Sequence, residues 1–320
     1  MKNKMLQILS VCGRVFRGDD MNKKLRGSIV LTLATIFWGS TFAFQDLAEA
    51  SGLGAFTFQA SRCFLGVLAL LPVIWLFDRR KADGKTFFSR WCDPKLWKGG
   101  LLCGIPLFLA CNLQQLGIGD AGAGKSAFLT AMYIVIVPII GIFLKKKPSI
   151  MIPVSLVLAV AGLYFLSFKD VPQVSLGDLL LIACALAFAV QITFVDIYAP
   201  QVDPLRLNVV QAGVCTVLSA VMAFSMEDAT LSLISANWLN IGYAGVLSMG
   251  AAYGMQIFGQ RDLEPTTASL VMSLEAVFAV LCGVIFLHET MDGNRILGCI
   301  LMFIAVILSQ IPVPFKKKDR

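Results

Sequence analysis

The sequence predicts an all-α integral membrane protein with ten transmembrane helices. Of its 320 residues, 57% are hydrophobic and only 15% are charged, whereas soluble domains are about 45–50% apolar. The apolar residues form ten segments, most of them close to the ~20 residues that a helix needs to cross the hydrocarbon core. Open strands would leave backbone groups unpaired in lipid, and the strict alternation of a β-barrel is absent. All ten segments are therefore predicted to be helices.

The ten segments divide the chain into two halves with short ends. The first half covers 23–167 and the second 168–314, between a cytoplasmic N-terminal segment at 1–22, in which either Met1 or Met21 could be the start, and a basic tail at 315–320. The predicted helices lie at 27–47, 54–77, 97–118, 122–144, 149–167, 175–198, 204–225, 237–260, 265–287 and 293–312.

The basic residues predict the orientation. Of the 27 Lys and Arg residues, 23 lie on the side of the N-terminus, whereas Lys169 and Arg295 lie on the opposite side and Arg62 and Lys125 fall within spans. Cytoplasmic loops carry the excess of positive charge, so both termini are expected in the cytoplasm and the protein in the plasma membrane. The net charge of +7 thus reflects membrane orientation and does not indicate nucleic-acid binding.

Cysteine usage argues against a disulfide framework and against a bound metal. Seven of the nine cysteines lie inside apolar segments, and the sequence contains no CxxC or Cys/His pattern. Such patterns are the usual sequence signs of metal sites and disulfide scaffolds. We therefore expect neither a metal nor another cofactor.

The two halves show weak similarity to each other. A shift of 143 residues places 126–144 on 269–287 and matches Ser126 with Ser269, and a shift of 150 matches Gly27 with Gly177 and Leu31 with Leu181. Five crossings separate equivalent points, so the second half would enter the membrane from the opposite face. The sequence predicts two inverted five-helix repeats, an arrangement common in transporters.

Two charged residues stand out within the predicted spans. Glu275 lies in the middle of the ninth span and Arg62 lies about 12 Å below the outer surface, at 1.5 Å per residue. A charge at such a depth costs about 3 kcal/mol or more and normally faces a bundle interior or a cavity. Arg62 and Glu275 could form a static brace between helices, or they could bind a zwitterionic substrate. A carboxyl group withdrawn from water favours its neutral form, so Glu275 could also carry a proton.

Polar and aromatic residues at helical spacing predict that several spans line a common cavity. The ordinary role of such an amide is an interhelical hydrogen bond, worth about 0.6 kcal/mol in membranes. Four such faces in one chain favour a shared lining for at least some of them, suited to a compact organic solute. With the two charged residues, the predicted substrate-binding set is Trp38, Gln45, Arg62, Asn112, Gln115, Tyr133, Gln191, Tyr253, Gln256 and Glu275.

Four stretches of the sequence resemble the drug/metabolite transporter superfamily, specifically its EamA-type ten-helix members. They are GSIVLTLATIFWGSTFAFQ (27–45), ASRCFLGVLALLPV (60–73), SAFLTAMYIVIVPIIGIFLKKKPS (126–149) and SLEAVFAVLCGVIFLHETMDGNRILGCILMFIAVIL (273–308). The resemblance implies export or exchange of small organic metabolites by alternating access. Two departures concern the site, because Glu275 is followed by Ala276 where the family often has Glu-Pro, and the equivalent Met132 is not acidic.

Three functions follow from these observations. The first is a secondary transporter, with a small molecule as substrate, the lipid bilayer as environment and a proton as candidate coupling ion. The second is an integral-membrane enzyme acting on lipid-linked substrates, against which the sequence lacks HExxH, GxSxG and an acidic metal cluster. The third is a scaffold or channel, which an inverted repeat disfavours. An amino acid or a related solute, moved outward, is the expected substrate, and both a monomer and a homodimer remain open.

Overall fold

The computed structural model describes residues 23–81, 86–145, 151–167, 175–228, 230–286 and 291–310, and these ranges contain helices and no strands. The predicted N-terminal segment 1–22 and basic tail 315–320 lie outside them. The first half contains α1 (Lys23–Ala50), α2 (Ala55–Asp78), a 3-10 helix (Phe88–Trp91), α3 (Pro94–Ala131), α4 (Tyr133–Phe143) and α5 (Met151–Ser167). The second half contains α6 (Leu176–Tyr198), α7 (Pro204–Met226), α8 (Leu231–Ala236), α9 (Trp238–Tyr243), a π-helix (Ala244–Ala252), α10 (Tyr253–Gln260), α11 (Pro265–Met272), α12 (Glu275–Phe286) and α13 (Gly293–Gln310).

Within the described ranges, each of the ten predicted segments coincides with helix. Within the described ranges, six helical stretches are long and apolar enough to cross a membrane: 23–50, 55–78, 94–143, 176–198, 204–226 and 265–285. Two shorter apolar helices, 151–166 and 293–309, match the fifth and tenth segments. The stretch 94–143 contains both the third and fourth segments, and the eighth is built from α9, the π-helix and α10. The predicted all-α membrane fold is therefore confirmed.

The connection between the third and fourth spans differs from the prediction. A loop was expected at 119–121, but α3 has helical structure on both sides of a break at Gly122. Gly122 has φ 71° and ψ 167°, a backbone conformation that glycine adopts readily because it lacks a Cβ atom. A single residue therefore separates the two spans.

The fourth and ninth spans are both interrupted near their middle. The fourth is interrupted at Met132, between α3 and α4, and the ninth at Ser273 and Leu274, between α11 and α12. The backbone N–H of Met132 donates to the carbonyl of Leu129, and that of Leu274 to the carbonyl of Val271, which are the tighter i to i−3 bonds of a 3-10 turn. The ninth span is interrupted just before Glu275 although position 276 is alanine and not proline. Glu275 is therefore the first residue of α12.

The eighth span is not the uniform α-helix that the sequence predicted. Its central nine residues form a π-helix, a local conformation that is frequent at functional sites. The side-chain amide of Asn208 in α7 donates to the carbonyls of Met249 and Gly250. A Cβ atom at Gly245 would lie 2.8 Å from the carbonyl oxygen of Arg62. Glycine at this position therefore allows the π-helix to approach the backbone of α2.

A close crossing joins α1 to α10. A Cβ atom at Gly27 would lie 2.9 Å from the carbonyl oxygen of Gly259, and one at Gly259 would lie 2.6 Å from Cγ of Leu31. Both distances are shorter than normal packing allows, so glycine at both positions permits the two backbones to meet, as small residues commonly do between membrane helices.

The crossing of α3 with α6 repeats this arrangement. A Cβ atom at Gly177 would lie 2.9 Å from the carbonyl oxygen of Gly117, and one at Gly117 would lie 2.8 Å from Cγ of Leu181. Gly177 and Leu181 are the first-helix residues shifted by 150 positions, and Gly117 precedes its counterpart in α10 by 142 positions. The first crossing lies near the Lys23 end of α1 and the second near its Ala50 end, as an inverted repeat requires.

Candidate functional site

A small cavity lies where the two repeats meet. It receives side chains from α1, α2, α3, α4, α6, the π-helix, α10, α11 and α12. Its lining consists of aromatic rings, apolar side chains, amides, hydroxyls and two opposite charges: Trp38, Thr41, Phe42, Gln45, Arg62, Gln114, Tyr133, Phe188, Ile192, Ser248, Tyr253, Gln256, Met272 and Glu275.

The cavity follows the repeat. Trp38 and Phe42 of α1 become Phe188 and Ile192 of α6 after a shift of 150, and all four line the cavity. Gln114 of α3 becomes Gln256 of α10 after the shift of 142 seen at the glycine crossings. Equivalent residues from the two halves therefore surround the cavity, which places it near the axis that relates the repeats.

Arg62 contributes a cation that has no anionic partner in the described chain. Only 2% of the residue is exposed, its Nε donates to Oε1 of Gln59 over 2.6 Å, and Gln59 in turn donates to the carbonyl of Cys111. The guanidinium carbon lies 5.6 Å from the centroid of the Phe58 ring. These contacts fix one edge of the guanidinium, while its two Nη groups make no hydrogen bond within the described ranges.

Glu275 contributes a carboxylate to the same cavity. Its Oε1 accepts a hydrogen bond of 3.0 Å from the hydroxyl of Tyr133, and its position in the first turn of α12 brings it close to the positive end of that helix dipole. Within the described chain no salt bridge joins Glu275 to Arg62. In the described structure the two charges therefore line one cavity without forming the direct ion pair that a static brace would use.

Three further predicted residues supply aromatic and polar surface. The rings of Trp38 and Tyr253 pack edge to face with centroids 5.1 Å apart, and the Tyr253 hydroxyl lies 3.6 Å from the sulfur of Cys111. Nε1 of Trp38 and Oε1 of Gln256 are buried and have no hydrogen-bond partner in the described structure. A donor and an acceptor are thus available beside the two charges.

Three of the predicted site residues lie outside the cavity lining. Asn112 donates to the hydroxyl of Ser219 and to the carbonyl of Phe108. Gln115 donates to the carbonyl of Gln45, and Gln191 bonds to Gln211 and Gln256. Their amides therefore join helices to each other.

The predicted set does not include the whole cavity lining. The residues absent from the predicted set are Thr41, Phe42, Gln114, Phe188, Ile192, Ser248 and Met272. The repeat itself carried a usable signal for two of them, because Phe188 is equivalent to Trp38 and Gln114 to Gln256. Both partners were already in the predicted set.

Comparison with known proteins identifies the family of the chain. A model described as the EamA-like transporter family matches it twice, over residues 25–168 and 175–310. The chain belongs to the EamA-like transporter family. The two matches cover the two halves that carry the repeated glycine crossings.

Other EamA-like proteins resemble the chain along most of its length. An uncharacterized transporter of Archaeoglobus fulgidus is 28% identical over 297 residues, which cover 92% of this chain and 89% of the relative. A threonine/homoserine exporter of Salmonella typhimurium is 26% identical over 291 residues, covering 89% and 90%. One solved structure, 18% identical, superposes with a TM-score of 0.70 over 89% of this chain and 96% of its own, and this likeness concerns the fold alone.

Membership of the EamA-like family decides between the functional classes. The family and its named relatives are transporters, so the chain is a multi-pass membrane transporter and not an enzyme. The cavity can offer a cation, a carboxylate, a free donor and a free acceptor to one solute.

Proposed function

We propose that the protein is a secondary transporter that exports an amino acid, or a related small zwitterionic metabolite, across the plasma membrane. The observation that carries this proposal is that Arg62 and Glu275 line one cavity and do not pair with each other. A buried charge without a partner is costly. A solute with a carboxylate and an ammonium group would neutralise both.

The substrate class has a second support among the relatives. The Salmonella typhimurium relative bears the name of a threonine/homoserine exporter, and both compounds are small zwitterions with a hydroxyl group. Trp38 Nε1 and Gln256 Oε1, which lack partners in the described chain, are suited to hydrogen-bond such a polar substituent.

Alternating access is the proposed mechanism. In transporters built from inverted repeats, the substrate site lies at the repeat interface and discontinuous helices contribute to it. The cavity is surrounded by equivalent residues of both repeats, and the fourth and ninth spans are interrupted beside it. With both termini in the cytoplasm, as the distribution of basic residues predicts, the Lys23 end of α1 faces the cytoplasm.

A proton gradient, coupled to transport through Glu275, is the proposed energy source for export. The carboxyl group lines the cavity and accepts a hydrogen bond from Tyr133, so it can exchange a proton when the cavity opens to water. Glu275→Gln should abolish the stimulation of uphill transport by an imposed pH gradient in proteoliposomes. A Glu275→Gln protein that responds to the gradient like the wild type would refute the coupling role.

The direct test of the substrate class is counterflow in proteoliposomes. Vesicles that contain purified protein are loaded with unlabelled amino acids one at a time and then exposed to the same labelled compound. We expect transient accumulation for a subset of small zwitterions and none for inorganic ions or sugars. Accumulation of singly charged organic ions in preference to every zwitterion would contradict the proposal.

A further inference from the structure

Two clusters of glutamine side chains lie on opposite sides of the cavity. The first, the α1–α3 amide cluster, consists of Gln45, Gln114 and Gln115. The Nε2 of Gln45 donates to Oε1 of Gln114 and of Gln115, both over 3.1 Å, and Gln115 donates back to the carbonyl of Gln45 over 3.0 Å. Gln114 also donates to the hydroxyl of Thr130 in the fourth span. No more than 6% of any of these residues is exposed.

The second cluster, the α6–α10 amide cluster, consists of Gln191, Gln256 and Gln260. The Nε2 of Gln256 donates to Oε1 of Gln191 over 3.0 Å and to Oε1 of Gln260 over 2.9 Å, and Gln260 donates to the carbonyl of Ile192 over 3.0 Å. All three glutamines are buried. Gln191 extends the cluster to Gln211 of α7.

The two clusters are related by the repeat. The first ties the first helix of its repeat to the third, and the second does the same in the other repeat, with Gln114 equivalent to Gln256. The α1–α3 cluster lies near the Ala50 end of α1, whereas Gln260 directly follows Gly259, which packs against Gly27 at the Lys23 end. Gln45, Gln114 and Gln256 line the cavity, so the clusters border it from its two opposite sides.

We propose that the two amide clusters are the gates of the transporter. The α1–α3 cluster closes the path to the Ala50 side, and the α6–α10 cluster closes the path to the Lys23 side. Both clusters are formed in this structure. Interhelical hydrogen bonds in membranes are individually weak, so a cluster of a few bonds can hold a gate and still release it within a transport cycle.

This inference rests on the proposed alternating-access function, but its test needs no substrate. Ser248, in the π-helix, lines the cavity, and Ser248→Cys makes that position a reporter. A membrane-impermeant thiol reagent is applied to intact cells or to inverted membrane vesicles, and labelling at position 248 is measured by peptide mass spectrometry. Peptide resolution separates the reporter from the native cysteines.

Gln114→Leu and Gln256→Leu form a matched pair, since each removes an equivalent amide with two side-chain bonds. In the reporter background, Gln114→Leu should raise labelling from the Ala50 side and Gln256→Leu from the Lys23 side, each on the order of 5-fold. Asn112→Leu, which removes a buried amide outside both clusters, should change neither. The shorter amides of Gln114→Asn and Gln256→Asn repeat the test should a leucine variant fail to fold.

The outcome that overturns the gates is labelling that rises from the same side in both glutamine variants, rises equally from both sides, or does not rise above the Asn112→Leu control. Counterflow measured on the wild-type protein keeps the two proposals apart. Opposite-sided labelling without transport of any zwitterion leaves the gates standing and rejects the substrate class. Zwitterion counterflow without sided labelling supports the substrate class and rejects the gates.

Discussion

At the scale of single residues, the hydrogen bond from Tyr133 to Glu275 is the contact that orients the cavity carboxylate. Tyr133→Phe removes the hydroxyl and leaves the buried ring. Loss of one such bond is worth about 1 kcal/mol, which corresponds to about 5-fold in an equilibrium constant. We expect the concentration of substrate for half-maximal counterflow to rise by about that factor, while the exposed Tyr164→Phe should leave it unchanged. An unaltered value in Tyr133→Phe would show that this bond does not position the carboxylate.

A second residue-scale prediction concerns Glu227, at the end of α7. Its carboxylate accepts hydrogen bonds from the backbone N–H groups of Phe56 and Thr57 and from the Thr57 hydroxyl, at 2.7–2.9 Å. Gly54, the residue before α2, has no side chain of its own to cap the helix, so Glu227 acts as the cap from another helix.

Removal of this cap should destabilise the protein. Glu227→Ala is expected to cost about 1–2 kcal/mol and to lower the melting temperature in detergent, whereas Asp228→Ala, which removes an exposed carboxylate from the next residue, should have a much smaller effect. Equal melting temperatures for the two variants would exclude the capping role.

At the scale of elements, the two glycine crossings should respond alike to the same substitution. Gly117→Ala and Gly259→Ala each place a methyl group within 3 Å of a leucine side chain and near a glycine backbone. Overpacking of this kind costs roughly 1–3 kcal/mol, so both variants should melt below the wild type. Gly213→Ala in α7, where nothing lies within 4 Å, is the matched control. A crossing that tolerates alanine as well as position 213 does would contradict the close approach of these helices.

The sequence was sufficient to locate the elements but not to describe their irregularities. Segment length and hydropathy predicted all ten spans, because the thickness of the membrane constrains them. The π-helix at Ala244–Ala252 depends on contacts with α2 and α7, which no local sequence pattern indicates. The break at Gly122 depends on the backbone conformation of one residue, which no local pattern indicates either. The interruption before Glu275 occurs without the proline that would have predicted it.

The same limit explains why the sequence predicted only some of the residues that line the cavity. Seven of the ten predicted residues line the cavity and three do not. Gln114 and Gln115 are adjacent, so their side chains point about 100° apart on a helix, and the hydrophobic pattern of a membrane helix does not fix its rotation to that accuracy. Asn112 and Gln191 have the composition of lining residues, but their amide nitrogens donate to side chains of α7, as polar groups in membranes commonly do between helices.

At the scale of the whole molecule, the two repeats enclose the cavity with equivalent residues but contribute charge unequally. Arg62 comes from the first repeat and Glu275 from the second, where the equivalent of Glu275 in the first is Met132. A symmetric scaffold therefore carries an asymmetric pair of charges, and under the proposed function one end of the solute meets the cation and the other the carboxylate. The proposed zwitterion would therefore bind in one orientation.

The most direct test of this account is competition in counterflow by analogues that lack one charge of the transported amino acid. Wild-type protein should discriminate against both the N-acetylated analogue and the decarboxylated amine. Glu275→Gln should lose discrimination against the first and Arg62→Gln against the second, while the exposed controls Glu264→Gln and Arg261→Gln keep both. Discrimination that survives unchanged in Arg62→Gln and Glu275→Gln would contradict the claim that these two residues bind the two ends of the substrate.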